Sequence, residues 1–537
     1  MNTHWWQTAV IYQVYPRSYQ DSTGDGIGDL PGIMRRLPHL VELGVDALWL
    51  SPVFRSPMAD FGYDISDYTD VDPLFGSLAD LDALVTAAHE RGLKVILDLV
   101  PNHTSDQHPW FVESRSSRNS PKRDWYIWRD PGPDGGVPNN WRSEFGGSAW
   151  QHDAATGQYY YHAFLAAQPD LNWRNPEVRA AMYEAMRFWL RRGVDGFRVD
   201  VIWHLVKDDQ FRNNPSNPAF RADRPPHEEL APVYTADRPE VHDIIREMRQ
   251  VTDEFPERLL IGEIYLPLER LVAYYGRDLG GVHLPFNFSL LSTAWHARQI
   301  ATLIDEYEAA LPPTGWPNWV LGNHDRPRIA TRIGLDQARV AAMLLLTLRG
   351  TPTIYYGDEI GMEEVPLAPG QVCDPFERNV PGFGVGRDGC RTPMQWDASD
   401  HAGFSSAAPW LPVEALYRQR NVAAQRDDPS SPYQLYRRLI ALRRSRKALA
   451  LGAYRPILAS GDLLLFVREF QDERILAALN LGHEPTQVTL PSGALKGQLL
   501  ASSLADRDGE AVNGSIDLRA DEGVLIELSA DSVLPVK

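Results

Sequence analysis

Three times along its first half the chain repeats one short pattern: an amphipathic stretch, a glycine, then a run of β-branched and apolar residues. "LPGIMRRLPHLVELG" ends at Gly44 and leads into "VDALWLSP". "SLADLDALVTAAHERG" ends at Gly92 before "LKVILDLVP", and "NPEVRAAMYEAMRFWLRRG" ends at Gly193 before "VDGFRVDV". In the third repeat Asn175 suits the helix N-cap, Pro176 the first helical position and Gly193 the residue past the end. In the second, Ser77 followed by Asp80 is close to a capping box. Strands that alternate with helices form a parallel sheet, because each return crossing needs a helix. Further strand-like runs are "AVIYQVY" near the start, "RLLIGEIYL" at 258–266, "HLPFNF" at 283–288, "NWVLGNHD" at 318–325 and "TPTIYYGDE" at 351–359. That makes about eight, the count of a (β/α)8 TIM barrel. An open doubly wound sheet is the alternative, but no glycine-rich dinucleotide fingerprint follows the first strand.

Two segments depart from the pattern. Residues 104–170 are rich in Pro, Gly, Asn and Trp, and read as a small domain inserted after the third strand. From about 450, "DLLLFVREF", "ERILAALNL", "TQVTL" and "GVLIELS" are short strand-like runs at regular spacing. They indicate a C-terminal antiparallel β-sandwich domain. "SPYQLYRRLIALRRSRKAL" is then the last barrel helix. The expected organisation is barrel over 1–103, inserted domain over 104–170, barrel again over 171–449 and β domain over 450–537.

The strand ends carry the chemistry, since barrel active sites form at the C-terminal ends of strands. The third strand ends on Asp98 and runs on to His103, the fourth on Arg198 and Asp200, the fifth on Glu263, the seventh on His324 and Asp325. Any one of these carboxylates is ordinarily a helix cap or a solvated loop residue. Their coincidence at four strand ends points to glycoside hydrolysis by paired carboxyls about 5 Å apart, one a nucleophile and one an acid then base. Arg198, two residues before Asp200, is expected to keep it ionised. Glu263 must hold a proton to donate it, and therefore needs a raised pKa. Asp325 is expected to favour a cationic transition state, with His103 and His324 donating to hydroxyls.

"DSTGDGIGDL", residues 21–30, places oxygens of Asp21, Thr23 and Asp25 at alternate positions before Gly26, then the Ile27 carbonyl and Asp29. This is half of an EF-hand loop, but the twelfth position is Gly32 rather than Glu and a strand precedes it. A hard-cation site or a solvated acidic turn fits; a calcium sensor does not.

Bulk properties agree with a neutral substrate. The 537 residues are 43% hydrophobic and 23% charged, with a net charge of −18, which argues against nucleic acid or an anionic membrane as partner. No apolar run approaches the roughly 20 residues of a membrane helix. "MNTHWWQTAV" lacks the layout of a signal peptide, and there are only two cysteines, Cys373 and Cys390. A cytoplasmic location is expected. Sixteen Trp and 21 Tyr offer faces that stack on sugar rings.

"DLVPNH" (98–103), "GFRVD" (196–200), "GEI" (262–264) and "GNHD" (322–325) resemble the signature regions of the α-amylase family, in order and at the right spacing. "QPDLN" (168–172), "SPMADFGYD" (56–64) and "GRDGCRTPMQWD" (386–397) resemble its α-glucosidase and oligo-1,6-glucosidase branch. The resemblance implies Asp200 as nucleophile, Glu263 as acid/base and Asp325 as transition-state stabiliser. It implies a terminal-glucose pocket of Asp60, Tyr63, His103, Arg198, His324 and Arg391, in which Asp60 and Arg391 clamp the far hydroxyls and make the enzyme exo-acting. It also implies that Asp21, Thr23, Asp25, Ile27 and Asp29 hold a structural Ca2+, with Mg2+ as the second choice. Thr23 stands where the family often has Asn or Asp. Val201 and "QPDLN" resemble α-1,6-active relatives, whereas "DVIWH" and the stretch 374–396 resemble α-glucosidases of broad range that accept maltose, sucrose or its isomers. The implied partners are short α-glucosides, handled by a monomer or homodimer. The rival within the family is a glucosyl transferase or isomerase of the trehalose or trehalulose synthase type. A non-catalytic glucosidase-like subunit would need a membrane anchor and would commonly lack the carboxylates kept here.

Overall fold

The computed structural model describes residues 3–489 and 495–534. Eight parallel strands form the central sheet: β1 (Ile11–Val14), β2 (Ala47–Leu50), β3 (Lys94–Leu99), β4 (Gly196–Val199), β5 (Leu259–Ile264), β6 (Leu284–Asn287), β7 (Asn318–Val320) and β8 (Thr351–Tyr355). Their spatial order is β6-β5-β4-β3-β2-β1-β8-β7, so chain neighbours pair and the two ends of the series come round to meet. No ladder joins β6 to β7; the Asn318 side chain closes the gap. Its Oδ1 accepts from the Asn287 N–H at 3.0 Å and its Nδ2 donates to the Pro285 carbonyl. Pro285 has no N–H to offer a ladder, which is why a side chain does this here.

The helices start and stop where their caps stand. Asp29 Oδ1 accepts from Gly32 N at 2.7 Å and begins Leu30–Leu43; Gly44 ends it at φ 94°. Asn175 caps Pro176–Arg191, and Ser77 with Asp80 forms the capping box of Leu78–Glu90. Strands and helices bury a large apolar layer between them, and inward-facing strand residues such as Ile11, Trp49, Ile96 and Ile261 form a separate cluster inside the barrel. No helix among the described residues is long and apolar enough to cross a membrane.

Three long excursions leave the C-terminal ends of the strands. The one after β3 holds a three-stranded antiparallel sheet of Trp128–Arg129, Gln158–Tyr161 and Trp150–Asp153. It has an aromatic core of its own around Trp141, Trp150 and Tyr161. Its ends are stapled together: His103 pairs with Asp170 in an isolated bridge, and the buried Lys207 Nζ joins Asp170 to Asn102. The other two are residues 200–240 after β4 and 356–431 after β8, both inside the span expected as barrel.

The last barrel helix is two helices, Pro432–Ser445 and Lys447–Leu451. Arg446 between them is extended, and its guanidinium reaches Glu527 at 2.8 Å on the C-terminal sheet. That sheet has seven antiparallel strands. Leu464, Phe466, Ala477 and Leu525 face the barrel core, whereas Leu465, Val467, Ala478 and Ile526 face a second core inside the β domain. The period-2 alternation of a strand produces both faces from one run. Cys373 and Cys390 are free thiols.

Replacing Asn318 by Ala strands one buried N–H and one buried C=O at the barrel seam. At about 1–3 kcal/mol for each orphaned group, Asn318→Ala is expected to cost about 2–6 kcal/mol, read as a lower midpoint of urea denaturation.

Candidate active site

The strand ends converge on a cavity of about 430 Å3 whose walls include Asp60, Tyr63, His103, Asp200, Glu263 and Asp325. Asp60 and Tyr63 come from the loop after β2 and the others from four different strand ends, so the parallel barrel is what brings them together. Arg198, His324 and Arg391 stand behind the wall, at most 1% exposed.

Arg198 is the hub. Its Nη1 lies 2.8 Å from Asp98 Oδ1 and 2.7 Å from Asp200 Oδ1, and its Nη2 lies 2.8 Å from Glu263 Oε2. The guanidinium also sits over the ring of Trp49, 5.1 Å from its centroid. One cation thus serves three carboxylates. Burial pushes Asp98 up to about 7 against the pull of Arg198. Burial, then the charge of Glu263, pushes Asp200 well above the usual carboxylate range, and burial raises Glu263 as well. The guanidinium expected to keep Asp200 ionised is shared among three carboxyls, and burial with the charge of Glu263 outweighs its pull on Asp200.

Directly after Asp200 the backbone turns sharply. Val201 adopts φ 35° and ψ 45°, a left-handed conformation that a β-branched residue reaches only under strain. The turn aims the Val201 N–H at Glu263 Oε2, 2.8 Å away. Nothing in the sequence signals this. The glycine of "GEI" makes room for it: a Cβ at Gly262 would stand 3.2 Å from Ile202 Cγ2.

Asp325 is the counterpart. Burial alone would raise it, but His324 and the guanidiniums of Arg391, Arg387 and Arg198 outweigh burial and hold its carboxyl well below the usual range. Arg391 Nη2 donates to Asp325 Oδ1 at 2.7 Å and its Nε to the His324 carbonyl at 2.7 Å.

Asp60 and Arg391, both expected at the far hydroxyls, have different ion-pair partners, and Arg391 goes to Asp325. Asp60 pairs with Arg387, Nη2 to Oδ1 at 2.7 Å, and Arg387 is anchored in turn by Asp374 at 2.6 Å. Arg387 stands four residues before Arg391 in the same motif, and spacing alone does not say which of the two faces the pocket. Gln168 was also missed as a site residue. Fully buried, its Nε2 donates to Asp60 Oδ2 and to the Tyr63 carbonyl, each at 3.3 Å. Its signal was "QPDLN", read as a family mark without a role for its first residue.

The two histidines have inward partners. Gln13 Nε2 donates to His324 Nδ1 at 2.7 Å, so Nε2 carries the proton and faces the Tyr63 hydroxyl at 2.6 Å. That hydroxyl donates to Asp98 Oδ2 at 3.1 Å. In this arrangement His324 orients Tyr63, and burial pushes its imidazole down to about 3, keeping it neutral. His103 Nε2 is 3.0 Å from the Tyr63 carbonyl, and burial pushes this ring down to about 4.

The loop 21–29 lies apart from the cavity. Asp21 Oδ1 accepts from the N–H groups of Thr23 and Gly24, and Oδ2 from Gly26 N and Ser405 Oγ. Asp25 Oδ1 takes the Ile27 N–H, and Asp29 takes those of Ser22 and Gly32. A carboxylate has about four lone-pair sites, and those of Asp21 are filled by the protein's own donors. As arranged, these oxygens face the protein's own donors, and no group of three or more His, Cys, Asp or Glu side chains among the described residues is placed to hold a metal.

A buried carboxyl pair on neighbouring strands of a β/α barrel, with a third carboxylate held ionised, is the site of a glycoside hydrolase. A profile of the alpha amylase catalytic domain matches residues 13–452. The probable alpha-glucosidase of Rhizobium meliloti is 45% identical over 508 residues, covering 92% of both chains. The oligo-1,6-glucosidase of Parageobacillus thermoglucosidasius is 38% identical, covering 91% of this chain and 93% of its own. Among solved structures, an alpha-glucosyl transfer enzyme superposes with a TM-score of 0.93 at 42% identity, over 98% of this chain and all of its own. The isomaltulose synthase of Protaminobacter rubrum superposes at 0.92 and 34% identity, with the same coverage. The chain belongs to the α-amylase family of glycoside hydrolases.

Asp98→Asn removes one of the three negative charges around Arg198. With less repulsion and a larger share of the guanidinium, the Asp200–Glu263 pair then loses its protons at lower pH. Both limbs of the pH profile of kcat/KM for p-nitrophenyl α-glucoside are expected to move to lower pH; stationary limbs would show that Asp98 is not coupled to the pair.

Proposed function

We propose that the protein is an exo-acting, retaining α-glucosidase that releases glucose from short α-glucosides such as maltose, isomaltose and sucrose-type disaccharides. The observation that carries the reading is the shared guanidinium. Asp200 and Glu263 both contact Arg198, on adjacent strands and in one cavity. That keeps the two carboxyls at the short separation a covalent mechanism needs, about 5 Å in retaining enzymes. With Oδ1 of Asp200 held by Arg198, its other oxygen attacks the anomeric carbon while Glu263 protonates the departing oxygen. Glu263 then takes a proton from the incoming water, and the glucosyl ester opens. Asp325, always ionised, stabilises the developing positive charge. Part of the cavity wall is the Asp60–Arg387 pair, anchored from behind by Asp374, which fits removal of one terminal sugar.

A glucosyl transferase is the second reading. It is favoured by the aromatic outer wall of Phe145, Phe164, Trp203, Tyr265 and Phe383, which would hold a sugar acceptor as well as water. The assembly proposed is a monomer or a homodimer. Two free thiols suit a reducing cytoplasm.

Asp200→Asn is expected to lower kcat by at least about a thousandfold while leaving the melting temperature in place. Fresh product from the wild type should be the α anomer by NMR. A β anomer, or near wild-type turnover of the variant, would remove the covalent mechanism.

We also propose that the loop 21–29 takes Ca2+, with Asp21, Thr23, Asp25, Asp29 and the Ile27 carbonyl as ligands, once Asp21 exchanges N–H donors for the ion. The expected outcome is a higher melting temperature in millimolar calcium than in EDTA. Equal temperatures would leave the loop as the self-satisfied turn described above.

A further inference from the structure

Among the charges that line the cavity, one cation has no counter-ion. Glu144 faces His227 at 3.3 Å, Arg224 meets Glu228 at 2.9 Å and Asp223 meets Arg221 at 2.8 Å. Asp60 is taken by Arg387, and Glu263 by Arg198. Arg326 also lines the cavity and is exposed to it. Among the described residues no carboxylate stands within ion-pair distance of its guanidinium. Its chain neighbour Asp325 turns instead to Arg391 at 2.7 Å, His324 at 3.5 Å and Arg387 at 3.6 Å.

The surroundings place Arg326 on the leaving-group side. Its guanidinium carbon lies 5.3 Å from the ring centroid of Tyr265, which follows Glu263 by two residues at the end of β5. Tyr265 is stacked on Phe288 at 4.5 Å and 9°, and Trp203 packs edge-on against it at 5.7 Å. The guanidinium thus rests on an aromatic shelf beside the residue assigned to protonate the departing oxygen. A contact of this kind holds the charge and leaves the N–H fork available for an acceptor. A neutral sugar hydroxyl needs a donor but no full charge. In a chain with 53 basic and 71 acidic residues, a cation left unpaired in a wall whose other charges are matched fits a negatively charged group. One guanidinium matches one carboxylate in a bidentate pair. A phosphate dianion would set two charges against that single cation, close to the ionised Asp325. The fit is therefore to a carboxylate.

We propose that the site accepts α-glucosides whose leaving group carries a carboxylate, and that Arg326 binds this carboxylate through its N–H fork. This rests on the α-glucosidase reading and adds to it a substrate class, the α-glucosides of hydroxy acids. The bond that breaks is still the glucosidic one. Water supplies the hydroxyl of the glucose and the proton of the released hydroxy acid, so the products are glucose and the free acid.

Matched substrates separate charge from shape. One pair is para-carboxyphenyl and para-(hydroxymethyl)phenyl α-glucoside, and the other is the corresponding meta pair. In the wild type the ratio of kcat/KM for the acid to that for its neutral partner is expected to reach about fivefold in at least one pair, mostly through KM. The ratio should shrink in about 0.5 M NaCl, where an exposed ion pair is screened. Arg326→Gln should bring it to about one or below. Arg326→Lys keeps the charge without the fork and should fall between the two. Ratios of one or less for both pairs in the wild type, or a ratio that Arg326→Gln leaves unchanged, would overturn the assignment and leave Arg326 a solvated charge. Wild-type enzyme that cleaves neither these glucosides nor p-nitrophenyl α-glucoside would overturn the α-glucosidase reading, and this inference with it.

Discussion

A single buried guanidinium holds this active site together. Arg198 meets Asp98, Asp200 and Glu263 in a space closed to water, with Trp49 beneath it. Three carboxylates around one cation leave a surplus of negative charge in a low-dielectric setting. Burying such a set is expensive, and it would not be kept for stability, since a well-packed apolar cluster does that job as well or better. The surplus has a chemical result. It holds a proton on the Asp200–Glu263 pair at a pH where isolated carboxyls would have lost it. A pair that shares a proton can present one member as nucleophile and the other as acid. Two steps along the cavity, Asp325 sits among four positive or polar neighbours and stays ionised. Neighbouring carboxylates are thus driven apart by which guanidinium each one owns.

The barrel supplies the precision and the excursions supply the enclosure. Asp98, Arg198 and Glu263 sit on strands buried at every position but Lys94, so their backbones have little freedom. Around them the loop after β2 contributes Asp60 and Tyr63, the inserted domain Gln168 and Phe164, and the excursion after β8 Arg387 and Arg391. These pieces are locked to one another by buried polar contacts: His103 to Tyr63, Gln168 to Asp60, Arg387 to both Asp60 and Asp374. The part of the cavity around Asp60 and Tyr63 is therefore a buried polar cage, while much of the remaining wall is aromatic and built of loop residues. That division explains why relatives with similar folds carry names as different as glucosidase, transfer enzyme and isomaltulose synthase.

Much of the architecture was legible beforehand, for local reasons. Helix ends are written in caps, so Asn175 and Ser77 could be read directly. Strands of a parallel sheet are buried on both faces and read as continuous apolar runs, which is how eight were found. The break of the last barrel helix at Arg446 was not legible, because it answers to Glu527 on the C-terminal sheet. At the site, the residue types and the strand ends were readable, but several partners were not. Arg387 rather than Arg391 faces Asp60, and His324 spends both nitrogens inside the protein.

By itself the sequence determined the repeating strand and helix units, the places where those units start and stop, and the acidic residues at the strand ends. These follow from periodicity and capping, which act over a few residues. Only the tertiary structure decided which carboxylates share Arg198, which arginine holds Asp60, and that the acidic loop at 21–29 turns its oxygens onto its own N–H groups. Those outcomes depend on distances between segments up to hundreds of residues apart in the chain. Electrostatic coupling is set by spatial separation and burial, and a linear pattern carries neither.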